Sequence, residues 1–142
     1  MNSLGCDYGA GQINLAVVGT DKVLNSAKLK LPAVLDKGFL SIFCGWLDTT
    51  KQEFGITDIY VEAPWSREGR YAWTGVKTAR TAGIIEALAA YSGLAYHSVY
   101  PGTWRAAVYG KGQGMPKAKE AKRKALDFVL YNYGYETKDH NE

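Results

Sequence analysis

Two apolar runs that each carry a single acid constrain this chain more than any other feature. The first, Leu4-Gly-Cys-Asp-Tyr-Gly-Ala-Gly-Gln-Ile-Asn-Leu-Ala-Val-Val18, brings a short strand to Asp7 and then turns through glycines. The second, Ile59-Tyr-Val-Glu-Ala-Pro64, holds Glu62 among β-branched and aromatic residues. Strands buried on both faces read as near-continuous apolar runs, and an unpaired carboxylate inside one is expensive to desolvate. Two such acids on separate core strands are most economically explained by a shared divalent cation. Mg²⁺ or Mn²⁺ suits the role, because it takes oxygen ligands, keeps several waters and needs few protein carboxylates. Taken singly, either acid is equally well explained as a strand-end residue satisfied by a backbone amide or an arginine.

The rest of the composition sets limits on that reading. A chain of 142 residues with 46% hydrophobic residues forms one ordinary domain with a real core. No basic region followed by an apolar stretch opens the sequence, and the apolar runs are broken by Gly, Asn or charge, so neither a secretory leader nor a membrane span is expected. Cys6 and Cys44 lack CxxC spacing and neighbouring histidines, which suits thiols in a reducing cytoplasm better than a disulfide or a zinc site. The net charge is only +3, yet seven of the seventeen Lys and Arg fall between Arg105 and Lys124, where Glu120 is the sole acid. Basic clustering of that kind suits a polyanionic partner.

Periodicity orders the elements as three strands, a helix, a strand, a helix, a strand and a helix. Residues 4 to 8 and 12 to 19 are separated by glycines, and Gly19-Thr-Asp-Lys22 forms a hairpin turn into Val23 through Leu31, giving an antiparallel meander. After Pro32, Phe39, Ile42, Phe43, Trp46 and Leu47 fall at helical spacing up to a stop at Gly55. Ile56 to Ala63 is the fourth strand. A long helix follows from about Tyr71 to Ser92, with Val76, Ala79, Gly83, Ala87 and Tyr91 near one face and Gly93 just past its end. Leu94 to Val99 is the fifth strand. A final helix starts at Pro116, a favoured first position, and runs to about Tyr133 before Gly134.

In that final helix Ala118, Ala121, Ala125, Phe128 and Val129 share a stripe, while Lys117, Lys119 and Arg123 project elsewhere. A solvated basic face explains them alone. The preceding stretch from Tyr100 to Pro116 adds Trp104, Arg105, Tyr109 and Lys111, with glycines that let backbone amides approach phosphates. It lacks the Gly-x-x-x-x-Gly-Lys-Ser/Thr pattern of a nucleotide-binding loop. The stretch Trp65 to Trp73 again mixes aromatics with Arg67 and Arg70. Aromatics beside cations near a carboxylate pair suit an opened nucleic-acid strand, whose bases stack while its phosphates pair.

With Asp7 on the first strand and Glu62 on the fourth, the chain resembles the RuvC-type Holliday-junction resolvases of the RNase H-like superfamily, especially their compact bacteriophage versions. The residues that carry the resemblance are Gly5-Cys-Asp-Tyr-Gly9, Tyr60-Val-Glu-Ala-Pro64, Pro101-Gly-Thr-Trp-Arg105 with its Lys-rich helix, and the terminal Asp139-His-Asn-Glu142. Together they span nearly the whole sequence. Their order and spacing, more than any one motif, make the case.

The resemblance implies an α/β fold: a five-stranded mixed sheet, its first three strands antiparallel, flanked by helices on both faces. It implies a nuclease site with two Mg²⁺ or Mn²⁺ ions, where Asp7 bridges the ions and Glu62 binds one. In the family the remaining ligands are two acids, or a His and an acid, three residues apart on a C-terminal helix. Asp139 and Glu142 have that spacing, which puts both on one helical face. The family's acidic motif opens an apolar helix that packs on the sheet, and residues 1 to 142 do not include it. Either Asp139 and Glu142 serve as ligands at the chain end, or the last ligand is lost with that helix; Asp-His-Asn-Glu is also what an ordinary polar tail looks like. The DNA-contacting set implied is Arg67, Arg70, Trp104, Arg105, Lys111, Lys117, Lys119 and Arg123, the substrate is branched DNA, and the two-fold symmetry of a four-way junction implies a homodimer. The helix from about Tyr71 to Ser92 is the candidate for its contact.

Two other readings stay open. One is a non-catalytic protein that binds branched DNA on the same fold. The other comes from the actin and sugar-kinase superfamily, whose phosphate loop also places Asp-x-Gly after a first strand; the chain has room for one such lobe and shows no second phosphate motif.

Overall fold

The computed structural model describes residues 1–9, 11–64, 72–112, 114 and 116–137. Its elements in chain order are β1 (Ser3–Tyr8), β2 (Gln12–Val18), β3 (Val23–Lys30), α1 (Lys37–Phe54), β4 (Asp58–Glu62), α2 (Ala72–Tyr91), β5 (Ala95–Val99), α3 (Pro101–Tyr109) and α4 (Ala118–Tyr133). The strands form one sheet in the order β3-β2-β1-β4-β5. β1, β2 and β3 are antiparallel neighbours, while β1 with β4 and β4 with β5 are parallel. The meander is local because Gly19 N–H donates to Lys22 C=O at 2.8 Å and closes the β2–β3 turn. The parallel pairs need helical crossovers, which α1 and α2 supply.

Side-chain alternation gives the sheet two unlike faces. Leu4 and Cys6 of β1, Ile13, Leu15 and Val17 of β2, and Ile59 and Val61 of β4 form one face, and they pack with Phe39, Phe43 and Leu47 of α1 and Ile85 and Ala89 of α2. Phe43, Leu47 and Ile85 are wholly buried. Burying each side chain of this size contributes about 1.5–3 kcal/mol, so the face carrying α1 and α2 holds the core. The helix ends are locally specified. The Asp36 carboxylate accepts from Phe39 N–H at 2.8 Å at the start of α1, and Gly55 closes it at φ 63°. Lys51 of α1 donates to Ser92 C=O at 2.8 Å, tying α1 to the end of α2.

Two sequence expectations are corrected. α3 is a helix where none was expected; Pro101 occupies its first turn, where a missing N–H costs nothing, and Gly110 ends it. α4 begins at Ala118 and not at Pro116, because Lys117 takes the non-helical cap position. The buried side of α2 is Gly75, Thr81, Ala82, Ile85 and Ala89, so the stripe of Val76, Ala79, Gly83, Ala87 and Tyr91 faces outward. Ile42 likewise lies on the exposed side of α1. Cys6 and Cys44 are free thiols. Among the described residues, no helix is long and apolar enough to cross a membrane.

Candidate metal centre and nucleic-acid face

The site is built by the parallel pairing of β1 with β4. Cys6 is in register with Val61, so the next residue on each strand, Asp7 and Glu62, stands at the carboxyl end of a central strand with its side chain on the face opposite the core. Adjacent strands lie about 4.8 Å apart, which brings the two carboxylates into each other's field. A crevice outside the carboxyl ends of strands is where open α/β sheets bind ligands. Asp7 is exposed and Glu62 half-buried.

Glu62 is held at both ends. Tyr8 O–H donates to its backbone C=O at 2.9 Å, and the indole Nε1–H of Trp104 donates to its Oε2 at 2.7 Å. Burial pushes the Glu62 carboxyl above its ordinary value and the charge of Asp7 adds to the rise, while the Trp104 hydrogen bond and the Arg105 guanidinium pull it back. The Tyr8 phenol is raised as well, mainly by burial.

α3 and α4 roof this end of the sheet and border a half-open cavity of about 690 Å³. Gly5, Ala16 and Tyr60 contribute to its floor and Trp104, Tyr109, Ala121, Ala125 and Val129 to its helical side, with Asp7 and Glu62 in its lining. The cavity is therefore mostly apolar, with paired carboxylates as its principal polar feature. Two further residues belong to it that the sequence reading missed. Asn14 is buried and pairs with Asp7 across β1 and β2, and its Oδ1 accepts from Gln12 Nε2 at 2.6 Å. Period-two alternation along β2 was the available signal, since it puts Asn14 on the Asp7 face. Lys122 also lines the cavity, in step with Ala118 and Ala125 on α4.

The basic residues expected to contact DNA divide into two groups. Arg105 is half-buried beside the carboxylates, its guanidinium 5.3 Å from the Trp104 ring centre. Lys111 is exposed in the turn after α3, Lys117 caps α4, and Lys119 and Arg123 are exposed along α4, so these four form an outer surface and do not enter the site. Lys124 pairs with Glu120 at 3.4 Å. Trp104, read from sequence as a stacking aromatic, points its N–H at Glu62. Trp73 is exposed near the start of α2, with Lys77 6.0 Å from its ring centre. Trp65, Arg67, Arg70, Asp139 and Glu142 lie outside the described residues.

Two carboxylates side by side, one exposed and one raised by burial and then by its neighbour, suit a hard divalent cation with oxygen ligands and bound waters. Asp7 and Glu62 fit one such shared ion. Among the described residues, no group of three His, Cys, Asp or Glu gathers to hold a metal.

No protein-family model and no curated protein matches the sequence. Solved structures do match. The RuvC of Thermus thermophilus in complex with a Holliday-junction substrate is similar with a TM-score of 0.72 and 17% identity over 99% of this chain and 86% of that one. A further structure of Thermus thermophilus RuvC is similar with a TM-score of 0.69 and 16% identity over 99% of this chain and 87% of that one. With its strand order, its antiparallel opening meander and its acids at the ends of β1 and β4, the chain has the RuvC-type RNase H-like α/β fold.

Proposed function

We propose that the chain is a metal-dependent, structure-selective endonuclease that hydrolyses phosphodiester bonds in branched DNA such as Holliday junctions, working as a homodimer in the cytoplasm of a bacterial or phage-infected cell. The observation that carries the reading is the adjacency of Asp7 and Glu62 on parallel central strands, at the mouth of an aromatic-walled cavity and below a basic helix pair. Asp7 and Glu62 would hold a Mg²⁺ or Mn²⁺ ion, with Asp139 and Glu142 as candidate ligands of a second. When bound, the ions supply charge neutralisation at a phosphodiester and acidify a water. The chain's own residues do the rest. Arg105, beside the carboxylates, receives a phosphate; Lys117, Lys119 and Arg123 along α4, with Lys111 in the turn before it, track the backbone; Arg67 and Arg70 are candidates for a second arm. The structural similarity to a RuvC bound to its junction, and the resemblance of the motifs to compact phage resolvases, support this choice of substrate.

A second reading is a protein that binds branched DNA on the same fold without chemistry. One experiment separates the two. A four-way junction is titrated in metal-free buffer for affinity, and Mn²⁺ is then added for cleavage. The nuclease reading expects cleavage by the wild type, and expects Glu62→Gln to bind within about twofold of wild type but to cut at least 100-fold more slowly. Cleavage by Glu62→Gln at the wild-type rate would make Glu62 a structural acid, and binding without any cleavage by the wild type would select the second reading.

A further inference from the structure

We propose that Trp104 is the positioning residue of the metal centre, its indole N–H fixing Glu62 so that a single carboxylate oxygen is presented to a cation shared with Asp7. The inference rests on the reading of Asp7 and Glu62 as cation ligands and adds to it a residue that acts on the cation through one of its ligands.

The argument begins with the donor. An indole N–H donates and cannot accept, so it stabilises only an oxygen that has a free lone pair. The 2.7 Å separation from Glu62 Oε2 lies in the range of hydrogen bonds to a charged acceptor. A half-buried glutamate on a strand has three side-chain torsions and would sample several orientations. The Trp104 bond removes that freedom at one oxygen, and the Tyr8 O–H bond to the Glu62 carbonyl at 2.9 Å removes backbone slack beneath it. Oε1 then remains as the oxygen available to a ligand. Ligand orientation by an outer hydrogen bond is a general property of metal sites.

Trp104 is itself held. It sits in the first turn and a half of α3, with Tyr109 6.0 Å away between ring centres and the Arg105 guanidinium 5.3 Å from its own ring. α3 packs on α4, where Tyr109 O–H donates to Ala121 C=O at 3.3 Å. The carboxylate is thereby tied to the two helices that carry most of the clustered basic residues.

The test uses the full chain and Mn²⁺ as the probe. Trp104→Phe keeps an aromatic ring against Tyr109 and deletes the donor. Free Mn²⁺, read by its electron paramagnetic resonance signal, gives the binding constant without any turnover. Trp104→Phe is expected to bind Mn²⁺ about 10-fold or more weakly than wild type, in line with the loss of an outer hydrogen bond. The second readout is the indole N–H region of a ¹⁵N spectrum, where each of the four tryptophans contributes one peak. The peak lost in Trp104→Phe should be displaced in Glu62→Gln and should shift saturably as the wild type is titrated with Mg²⁺. Trp104→Phe binding Mn²⁺ as tightly as wild type overturns the inference and leaves the metal centre standing. If Trp104→Phe does not fold, an indole spectrum of Glu62→Gln identical to that of wild type overturns it instead. A wild type that takes up no Mn²⁺ removes the metal centre itself, and the positioning role with it.

Discussion

The guanidinium of Arg105 lies 5.3 Å from the ring centre of Trp104, so a cation whose charge reaches Glu62 rests on the side chain that holds that carboxylate. Its Nε is buried and has no hydrogen-bond partner among the described residues. The remaining guanidinium N–H groups can donate to a phosphate. Arg105→Ala combined with Lys119→Ala should therefore weaken junction binding. Lys and Arg that neutralise phosphates release counterions, so each lost contact should also flatten the log-log salt dependence by about 0.9. Affinities measured across a salt series check this, and an unchanged slope would put the DNA path elsewhere on the surface.

Cation binding should register as folding stability. A ligand bound only by the folded state adds about 2.7 kcal/mol at a hundredfold excess over Kd, which is several degrees in Tm for a domain of this size. Mg²⁺ or Mn²⁺ should raise the Tm of the wild type by that order, and Asp7→Asn should abolish the shift. Without metal the same variant should melt at or above the wild-type temperature, because it relieves the repulsion between Asp7 and Glu62. Thermal scans with and without millimolar-scale metal test both halves. Identical scans for both proteins would end the shared-site idea.

Glu62 should leave a mark on the pH dependence of metal-free stability. Its carboxyl is raised in the folded state, first by burial and then by Asp7, so the folded chain binds that proton more tightly than the unfolded chain does. Stability then increases as pH falls through the raised value and the gain is complete at the ordinary carboxylate range. Partial exposure of the group keeps the effect small. The comparison to make is wild type against Glu62→Gln in urea melts from neutral pH down to the upper edge of that range. The wild type should gain on the variant as pH falls, and parallel curves would mean that the carboxyl is unperturbed.

The outward side of α2 carries Val76 and Tyr91, 54% and 82% exposed, together with Ala79, Gly83 and Ala87. Small residues in the middle with larger apolar ones at either end suit the close approach of a second helix around a two-fold axis. Sedimentation at micromolar concentration should give a dimer, and Val76→Glu with Tyr91→Glu should give a folded monomer. A wild type that sediments as a monomer even with junction DNA would leave this face to another use.

Much of this fold can be read from the chain because its signals are local. The meander follows from alternation and the Gly19 turn. Gly55, Gly93 and Gly134 stop helices because each sits at positive φ, between 61° and 68°, where other residues are strained. Asp7 and Glu62 stand out because an acid in an apolar strand is conspicuous. What escaped reading depends on long-range packing. α3 was hidden in a Gly-rich, aromatic stretch from Tyr100 to Pro116 whose glycines read as letting backbone amides approach phosphates, although Pro101 was a usable helix-start signal. The sidedness of α2 was not decidable from apolar residues that surround it on every side. Trp104 was read as a base-stacking residue, and its bond to Glu62 follows only from the docking of α3 against the end of β4.

The register that builds the site also dictates when it can form. β1, β2 and β3 pair through short turns, but β1 meets β4 only after the whole meander and α1 have been traversed, with Leu4 opposite Ile59. Closing such a long loop costs entropy before any contact rewards it, and non-local parallel pairing slows folding. During that interval Asp7 and Glu62 are apart and fully hydrated, and their mutual repulsion is felt only when β4 docks. The carboxylate pair thus burdens a late event on the folding route, so a mutation that removes one charge should speed the docking of β4 while leaving the early hairpins untouched.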